Sequence, residues 1–262
     1  MNSVKEFQQR TSGDSPKVSS AIRIGCAGWA IPKYASTFFS LEGSQLERYA
    51  GRFPAVEINS SFYGSHQPQT YRRWARSVPE GFQFAVKVSR EITHQRRLRN
   101  PELLNRFVAE TQELGPKLGP WLLQLPSILS FTVVQAKAFF SGLRDRFAGA
   151  VVCEPRHASW FTEEVSDLLS KFSVARVAAD PALSPAAARP GGWSGLAYYR
   201  LHGAPHRYYS SYATSWIKEL SRQLARDARS GASVWCIFDN TARGAATGNA
   251  LALMQELRQL VV

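Results

Sequence analysis

Several short β-like runs in this chain end in side chains that hold charge or move protons. Val56-Glu57-Ile58-Asn59 supplies a carboxylate and an amide, the run 82–87 ends in Lys87, and 121–125 contains Gln124. The run 150–154 ends in Glu154, with Arg156 and His157 just beyond; 174–179 is followed by Asp180. The run 197–202 carries Arg200 and His202, and 233–238 is followed by Asp239 and Asn240. Carboxylates and imidazoles in one place are the groups of general acid–base chemistry, and neighbouring cations tune their pKa values. Glu57 or Glu154 is the expected base or acid, with Lys87 or Arg200 beside it. His157 and His202 are further candidates for proton transfer.

Anion binding is the second chemistry these residues suggest. Arg90, Arg96, Arg97 and Arg99 follow the third run; Arg200, Gly203 and Arg207 belong to the seventh and its loop; Arg243-Gly244 precedes the last helix. Guanidinium forks match phosphate and carboxylate. The expected substrate- or anion-binding set is Trp29, Asn59, Tyr63, His94, Arg96, Gln124, Arg156, Arg200, Gly203 and Asn240. The plainer alternative is a mutually neutralised interior network, with Glu57 paired to Lys87 on the neighbouring strand and Glu154 to Arg200 or Arg156. No His-x-His or His-Glu-x-x-His spacing is present, and Lys87 and Arg200 would oppose a cation, so no metal is expected. No Gly-x-Ser-x-Gly elbow or strand-one Gly-x-Gly-x-x-Gly occurs, and no cofactor is expected.

These residues need elements that bring them together. Period-two alternation marks eight strands, at 22–27, 56–59, 82–87, 121–125, 150–154, 174–179, 197–202 and 233–238. Amphipathic helical patterns separate most of them. Ser44 with Glu47 reads as a capping box, Pro68 opens a helix, Asn100 and Thr162 read as caps, and 115–120 reads as a turn. The Pro-, Ala- and Gly-rich stretch 181–195 reads as a crossover loop. Alternating β and α implies a parallel sheet, and eight units imply an α/β fold of the (β/α)₈ TIM-barrel type, spanning 21–262 as one domain. Residues 1–20 are polar and read as a flexible tail. An open doubly wound sheet is the alternative. In a barrel the strand ends named above share one mouth.

Composition bounds the partners. The 262 residues are 44% hydrophobic and 12% aromatic, enough for a sizeable core. Thirty-two Lys and Arg against 20 Asp and Glu give +12, which favours an anionic small molecule or phosphate and admits nucleic acid. Cys26, Cys153 and Cys236 sit in apolar runs without metal-like spacing and read as buried thiols. With no membrane-spanning stretch and no signal-like N-terminus, a cytoplasmic location is expected. Three functional classes stay open: an enzyme on an anionic substrate, a nucleic-acid-binding protein or nuclease, and a non-catalytic ligand-binding protein.

Taken together, several stretches resemble the YecE-like family, a barrel domain of unknown function. They include Ile24-Gly25-Cys26-Ala27-Gly28-Trp29, Val56-Glu57-Ile58-Asn59-Ser60-Ser61-Phe62-Tyr63 and Pro79-Glu80-Gly81-Phe82. Ile92-Thr93-His94, Gln124-Leu125-Pro126, Glu154-Pro155-Arg156-His157-Ala158-Ser159-Trp160 and Tyr199-Arg200-Leu201-His202-Gly203 follow in order. The resemblance implies a (β/α)₈ barrel and no particular reaction. Two departures stand out: Pro155 takes a place usually aromatic, and the last strand ends Phe238-Asp239-Asn240-Thr241 where the family commonly has Phe-Asn-Asn-Asp.

Overall fold

A computed structural model describes residues 22–260; the expected tail at 1–20 lies outside the described residues. The strands are β1 (Ile22–Cys26), β2 (Ala55–Ile58), β3 (Gln83–Lys87), β4 (Leu118–Gln124), β5 (Val151–Glu154), β6 (Val174–Arg176), β7 (Ala178–Asp180), β8 (Gly191–Gly192), β9 (Leu196–Leu201) and β10 (Ser233–Phe238). The α-helices of six or more residues are α1 (Gln45–Ala50), α2 (Pro68–Arg76), α3 (Leu104–Thr111), α4 (Val133–Arg144), α5 (Glu163–Lys171), α6 (Thr214–Arg229) and α7 (Ala245–Gln259). Local chemistry sets several boundaries. The Ser44 hydroxyl accepts the Glu47 N–H and the Glu47 carboxylate accepts the Ser44 N–H, closing the capping box of α1. Thr162 caps α5 through the Val165 N–H, and Pro68 occupies the first turn of α2.

Other expectations are corrected. Asn100 makes no capping hydrogen bond; a 3₁₀ turn at Pro101–Leu103 intervenes and α3 starts at Leu104. Gly119 and Pro120 lie inside β4, not in a turn. A Cβ on Gly119 would come 2.6 Å from the Trp235 ring, which is why a glycine stands there. The expected sixth strand is two short ones that pair with different partners: β6 with β5, β7 with β9. Within 181–195 only β8 is regular, antiparallel to β6.

The fold is α/β with parallel sheets. One sheet runs β1-β10-β9-β7; the other runs β2-β3-β4-β5-β6, with β8 at its edge. The expected single closed ladder of eight strands is not what forms. The sheets meet at two places. The segment 174–180 serves both, giving β6 to one and β7 to the other. At the other edge β1 and β2 share one bridge, Ala27 with Glu57, and the Gly28 N–H donates to the Glu57 carbonyl at 2.9 Å. Below that bridge the fully buried Tyr49 hydroxyl takes the ladder's place. It accepts the Cys26 N–H at 2.8 Å and donates to the Ala55 carbonyl at 3.1 Å. Gly25 permits this approach, because a Cβ there would lie 2.1 Å from the Ala55 oxygen.

Alternation divides the strand residues into two apolar layers. Ile24, Val56, Ile58, Phe84, Val86, Trp121, Leu123, Cys153 and Cys236 pack towards the helices. Ala55, Ala85, Leu122, Val152, Ala175, Tyr198, Trp235 and Ile237, drawn from both sheets, form a second cluster from the opposite faces. All three cysteines are buried and unpaired, and burial pushes the Cys26 thiol up to about 12. Because 181–195 brings no helix, a cavity of about 700 Å³ opens beside β7, β9 and α6, reaching Tyr199, Trp216 and Asp227. Its lining takes in Asp180 at the end of β7 but none of Glu57, Lys87, Glu154, Arg200, His202 or Asp239.

Candidate active site

The second apolar face changes character at its C-terminal end. Two residues past Ala55 is Glu57, past Ala85 Lys87, past Leu122 Gln124, past Val152 Glu154, past Tyr198 Arg200, and past Ile237 Asp239. A period of two keeps each charged group on the face of the apolar residue before it.

Arg200 is the hub. Its Nε donates to the two Glu57 oxygens at 3.1 and 3.0 Å, and Nη2 donates to Glu57 Oε1 at 2.7 Å. Nη1 donates to Glu154 Oε2 at 3.0 Å, and Nη2 lies 3.1 Å from Asp239 Oδ2. The Tyr198 hydroxyl completes Glu57 by donating to Oε2 at 2.8 Å. Glu57 is 0% exposed and Arg200 1%, so each ion depends on the other being present. The expected Glu57–Lys87 pair is therefore corrected: Glu57 belongs to Arg200, which reaches it from the other sheet. Lys87, on the adjacent strand, instead places Nζ 4.2 Å from the Phe62 ring centroid.

His202, also 0% exposed, joins two of the same carboxylates. Nδ1 lies 2.9 Å from Asp239 Oδ2, and Nε2 lies 2.9 Å from Glu154 Oε1 and 2.8 Å from Arg156 Nη2. Arg156 Nη2 is itself 2.5 Å from Glu154 Oε1. The imidazole thus bridges two carboxylates of the network, with Arg156 against the same nitrogen as Glu154.

Burial, the largest influence on Glu154, would raise its pKa; Arg200, then Arg156 and His202, outweigh it and hold the carboxyl well below the usual range. For Asp239 burial again pushes up, and Arg200 and the His202 hydrogen bond bring the net shift below the ordinary value. Both folded-state values are depressed, so their stabilisation is complete above the unfolded carboxylate pKa. It is lost as pH falls through that value towards the folded one. Unfolding free energy measured in urea is expected to decline below about pH 4.5. Glu154→Gln is expected to be less stable at neutral pH and to lose much of that acid slope. A variant profile parallel to the wild type would contradict it.

The remaining expected residues separate into those near the cluster and those elsewhere. Gln124 Nε2 donates to Glu154 Oε2 at 3.3 Å, and Asn59 Nδ2 lies 3.5 Å from Asp239 Oδ1. His94 packs edge-on to Phe62 at 5.0 Å, on the ring that Lys87 also touches. Burial first, then the charges of Lys87 and Arg90, lower the His94 pKa. His157 is not in the network: Pro155 and Arg156 carry the chain away, and its Nδ1 accepts the Ser159 N–H to cap the turn Ala158–Trp160. Asn240 Nδ2 donates to Ser210 O and Asn249 Oδ1, fixing the loop after β9. The Gly203 N–H donates to the Tyr212 hydroxyl, and its φ of 89° is a conformation glycine favours. Trp29 packs on Trp74, while Tyr63 and Arg96 are exposed. Arg200 has its fork filled by protein carboxylates, which removes it from the expected phosphate site. Asp239, which the sequence places only as a strand-end acid, and Tyr198, which alternation places on the face of Arg200, carry no expected role, and the structure brings both into the network. Among the described residues no group of His, Cys, Asp and Glu is arranged to hold a metal ion, and no helix is long and apolar enough to cross a membrane.

With this geometry in place, the chain can be compared with known proteins. The family described as "Protein of unknown function DUF72" matches residues 23–261. The chain belongs to the DUF72 family. It is 32% identical over 144 residues to the UPF0759 protein YecE of Escherichia coli K12, covering 54% of this chain and 51% of that protein. The UPF0759 protein YunF of Bacillus subtilis 168 is 37% identical over 82 residues, covering 29% of this chain and 27% of that protein. These matches span about half or less of each relative's length. A DUF72 structure from Enterococcus faecalis superposes with a TM-score of 0.76 at 23% identity, covering 90% of this chain and 95% of the other. One from Thermotoga maritima gives 0.72 at 21%, covering 90% and 99%. At such identity the structural likeness establishes the shared DUF72 fold and leaves activity to the site.

Proposed function

We propose that this DUF72 protein is an enzyme that binds a small anionic substrate at the charged strand ends and moves a proton on it. In this reading the two sheets wrap as a (β/α)₈-type wall around the inner apolar cluster, and the charged ends form its mouth. The observation that carries the function is His202, a buried imidazole that holds Asp239 on one side and Glu154 on the other, the pairing of ring and carboxylates that acid–base chemistry uses. Asp239, 7% exposed, is the proton acceptor facing substrate, and His202 is its positioning residue. Glu57, sealed behind Arg200, orients the hub and does not touch substrate. Arg156 and Lys87 supply the positive side of the site.

The test is turnover of a pool of anionic metabolites by the wild type and by Asp239→Asn, followed by untargeted mass spectrometry, with oligonucleotides as a separate arm. At least one anionic metabolite is expected to be consumed, with the rate reduced about 10²-fold or more in the variant. No wild-type-dependent change in either arm would overturn the enzymatic reading. Salt-sensitive oligonucleotide cleavage alone would favour a polymeric substrate, for which Arg90, Arg96, Arg97 and Arg99 stand exposed in the loop after β3.

A further inference from the structure

Lys87 differs from the other cations of the site. Arg200 and Arg156 are engaged by carboxylates, but among the described residues no carboxylate oxygen lies within 4.0 Å of Lys87 Nζ. The residue is 7% exposed, and Nζ stands over the face of Phe62. Nζ makes no hydrogen bond and is not among the polar atoms sealed from solvent. It is thus a largely desolvated amine that still opens onto the site. The groups around it are Arg200 on β9, Glu57 on β2, Glu154 on β5, Asp239 after β10 and His94 on the turn after β3. Arg156 is 12% exposed at its side chain; its Nη2 is taken by Glu154 and His202, while Nη1 makes no hydrogen bond and is not among the sealed polar atoms. A guanidinium with an accessible N–H and an unpaired amine, both acting on Glu154, suit a two-ended ligand: an anionic end for Arg156 and an electrophilic end for Lys87.

We propose that Lys87 is a nucleophile that condenses with the carbonyl carbon of a small substrate bearing a carboxylate or phosphate, forming a Schiff base. The proposal deepens the enzymatic reading above and rests on it. Neutral Nζ adds to the carbonyl to give a carbinolamine. The carbon–oxygen bond then breaks, the oxygen leaves as water with the two amine hydrogens, and a carbon–nitrogen double bond remains. No oxidant or reductant takes part. Burial first, then the Arg200 charge, lowers the Lys87 pKa to about 8 against the opposing pull of Glu57, Asp239 and Glu154. A useful fraction of the amine is then neutral near physiological pH.

Reductive trapping tests this. The full chain is incubated separately with glyoxylate, glycolaldehyde phosphate and uncharged acetaldehyde, reduced with borohydride, and mapped by peptide mass spectrometry. The expected result is reduced adduct on Lys87 at about ten times the level on any other lysine, with at least one anionic probe. Labelling is expected to rise as pH passes about 8, because the neutral amine reacts. Acetaldehyde is expected to label Lys87 about tenfold less, for want of an anion to meet Arg156. Which anionic probe labels better separates a carboxylate from a phosphate substrate. Lys87→Arg keeps the charge and is expected to remove the dominant adduct. If that variant fails to fold, the site distribution on the wild type decides alone. Adducts spread evenly over the lysines, or none on Lys87, would overturn the proposal. Metabolite turnover without Lys87 labelling would overturn only the Schiff base; labelling without turnover would support the nucleophile and remove the proton-transfer reading.

Discussion

Replacing Arg200 by methionine is expected to destabilise the protein by about 3–5 kcal/mol, because it strands buried carboxylates without a counter-charge. Glu57 loses its bidentate partner, Glu154 loses Nη1, and Asp239 loses its contact with Nη2. Methionine keeps much of the length and apolar bulk of the stem, so the loss is chiefly of charge and donors. The effect should be relieved when the stranded acid is neutralised. In urea unfolding, Glu57→Gln combined with Arg200→Met is expected to show a favourable coupling of about 1–3 kcal/mol. Tyr198 can still donate to the glutamine oxygen in that background. The exposed pair Arg222–Glu219 provides the contrast, since its removal is expected to cost about 0.5 kcal/mol or less. A cost for Arg200→Met as small as that of the surface pair would mean that the network does not hold the interior together.

Gly25→Ala carries the second large effect. One methyl group at this position would stand 2.1 Å from the Ala55 carbonyl oxygen and 3.2 Å from the Tyr49 hydroxyl. The oxygen belongs to backbone and cannot rotate away. β1 and β2 must move apart, and the Tyr49 relay between Cys26 and Ala55 breaks in a fully buried place. Overpacking and a lost buried hydrogen bond together predict roughly 3 kcal/mol or more. Gly64→Ala is the control. Nothing lies within 4 Å of a Cβ there, and its φ of −159° is ordinary extended backbone. Thermal unfolding should separate the two substitutions clearly, with Gly64→Ala close to wild type. Similar transitions for both would show that β1 and β2 need no such close approach.

Much of this architecture is legible in the chain because strand alternation is a local signal. Ala55-Val56-Glu57-Ile58 and Leu196-Ala197-Tyr198-Tyr199-Arg200 each announce which residues share a face, and both patterns hold. Partner choice is not local. Lys87 was the natural partner for Glu57 because β2 and β3 are neighbours. The partner found lies 143 residues away and approaches from the other sheet. The division of 174–180 between two sheets is hidden for the same reason, since pairing first with β5 and then with β9 leaves no mark on the local pattern. His157 was misplaced by the opposite error. Its position after a strand suggested a site, while the nearby Ser159 marks a capping turn, a short-range competition that polar residues often win. Asn240 likewise serves the loop it belongs to.

The distribution of the network between the sheets bears on how the protein is made. Glu57 and Glu154 come from one sheet, and Arg200 and Asp239 from the other or its end. Synthesis from the N-terminus delivers both glutamates long before their arginine. Until β9 has emerged, a sheet that closed over Glu57 would bury an unmatched charge, which is prohibitively unfavourable. Water must therefore remain on that face while β2 to β5 assemble, and expelling it must wait for the last third of the chain. The pairs that match these buried carboxylates thereby also bear on timing, since the final collapse is expected to wait until the polypeptide is long enough to complete its own interior.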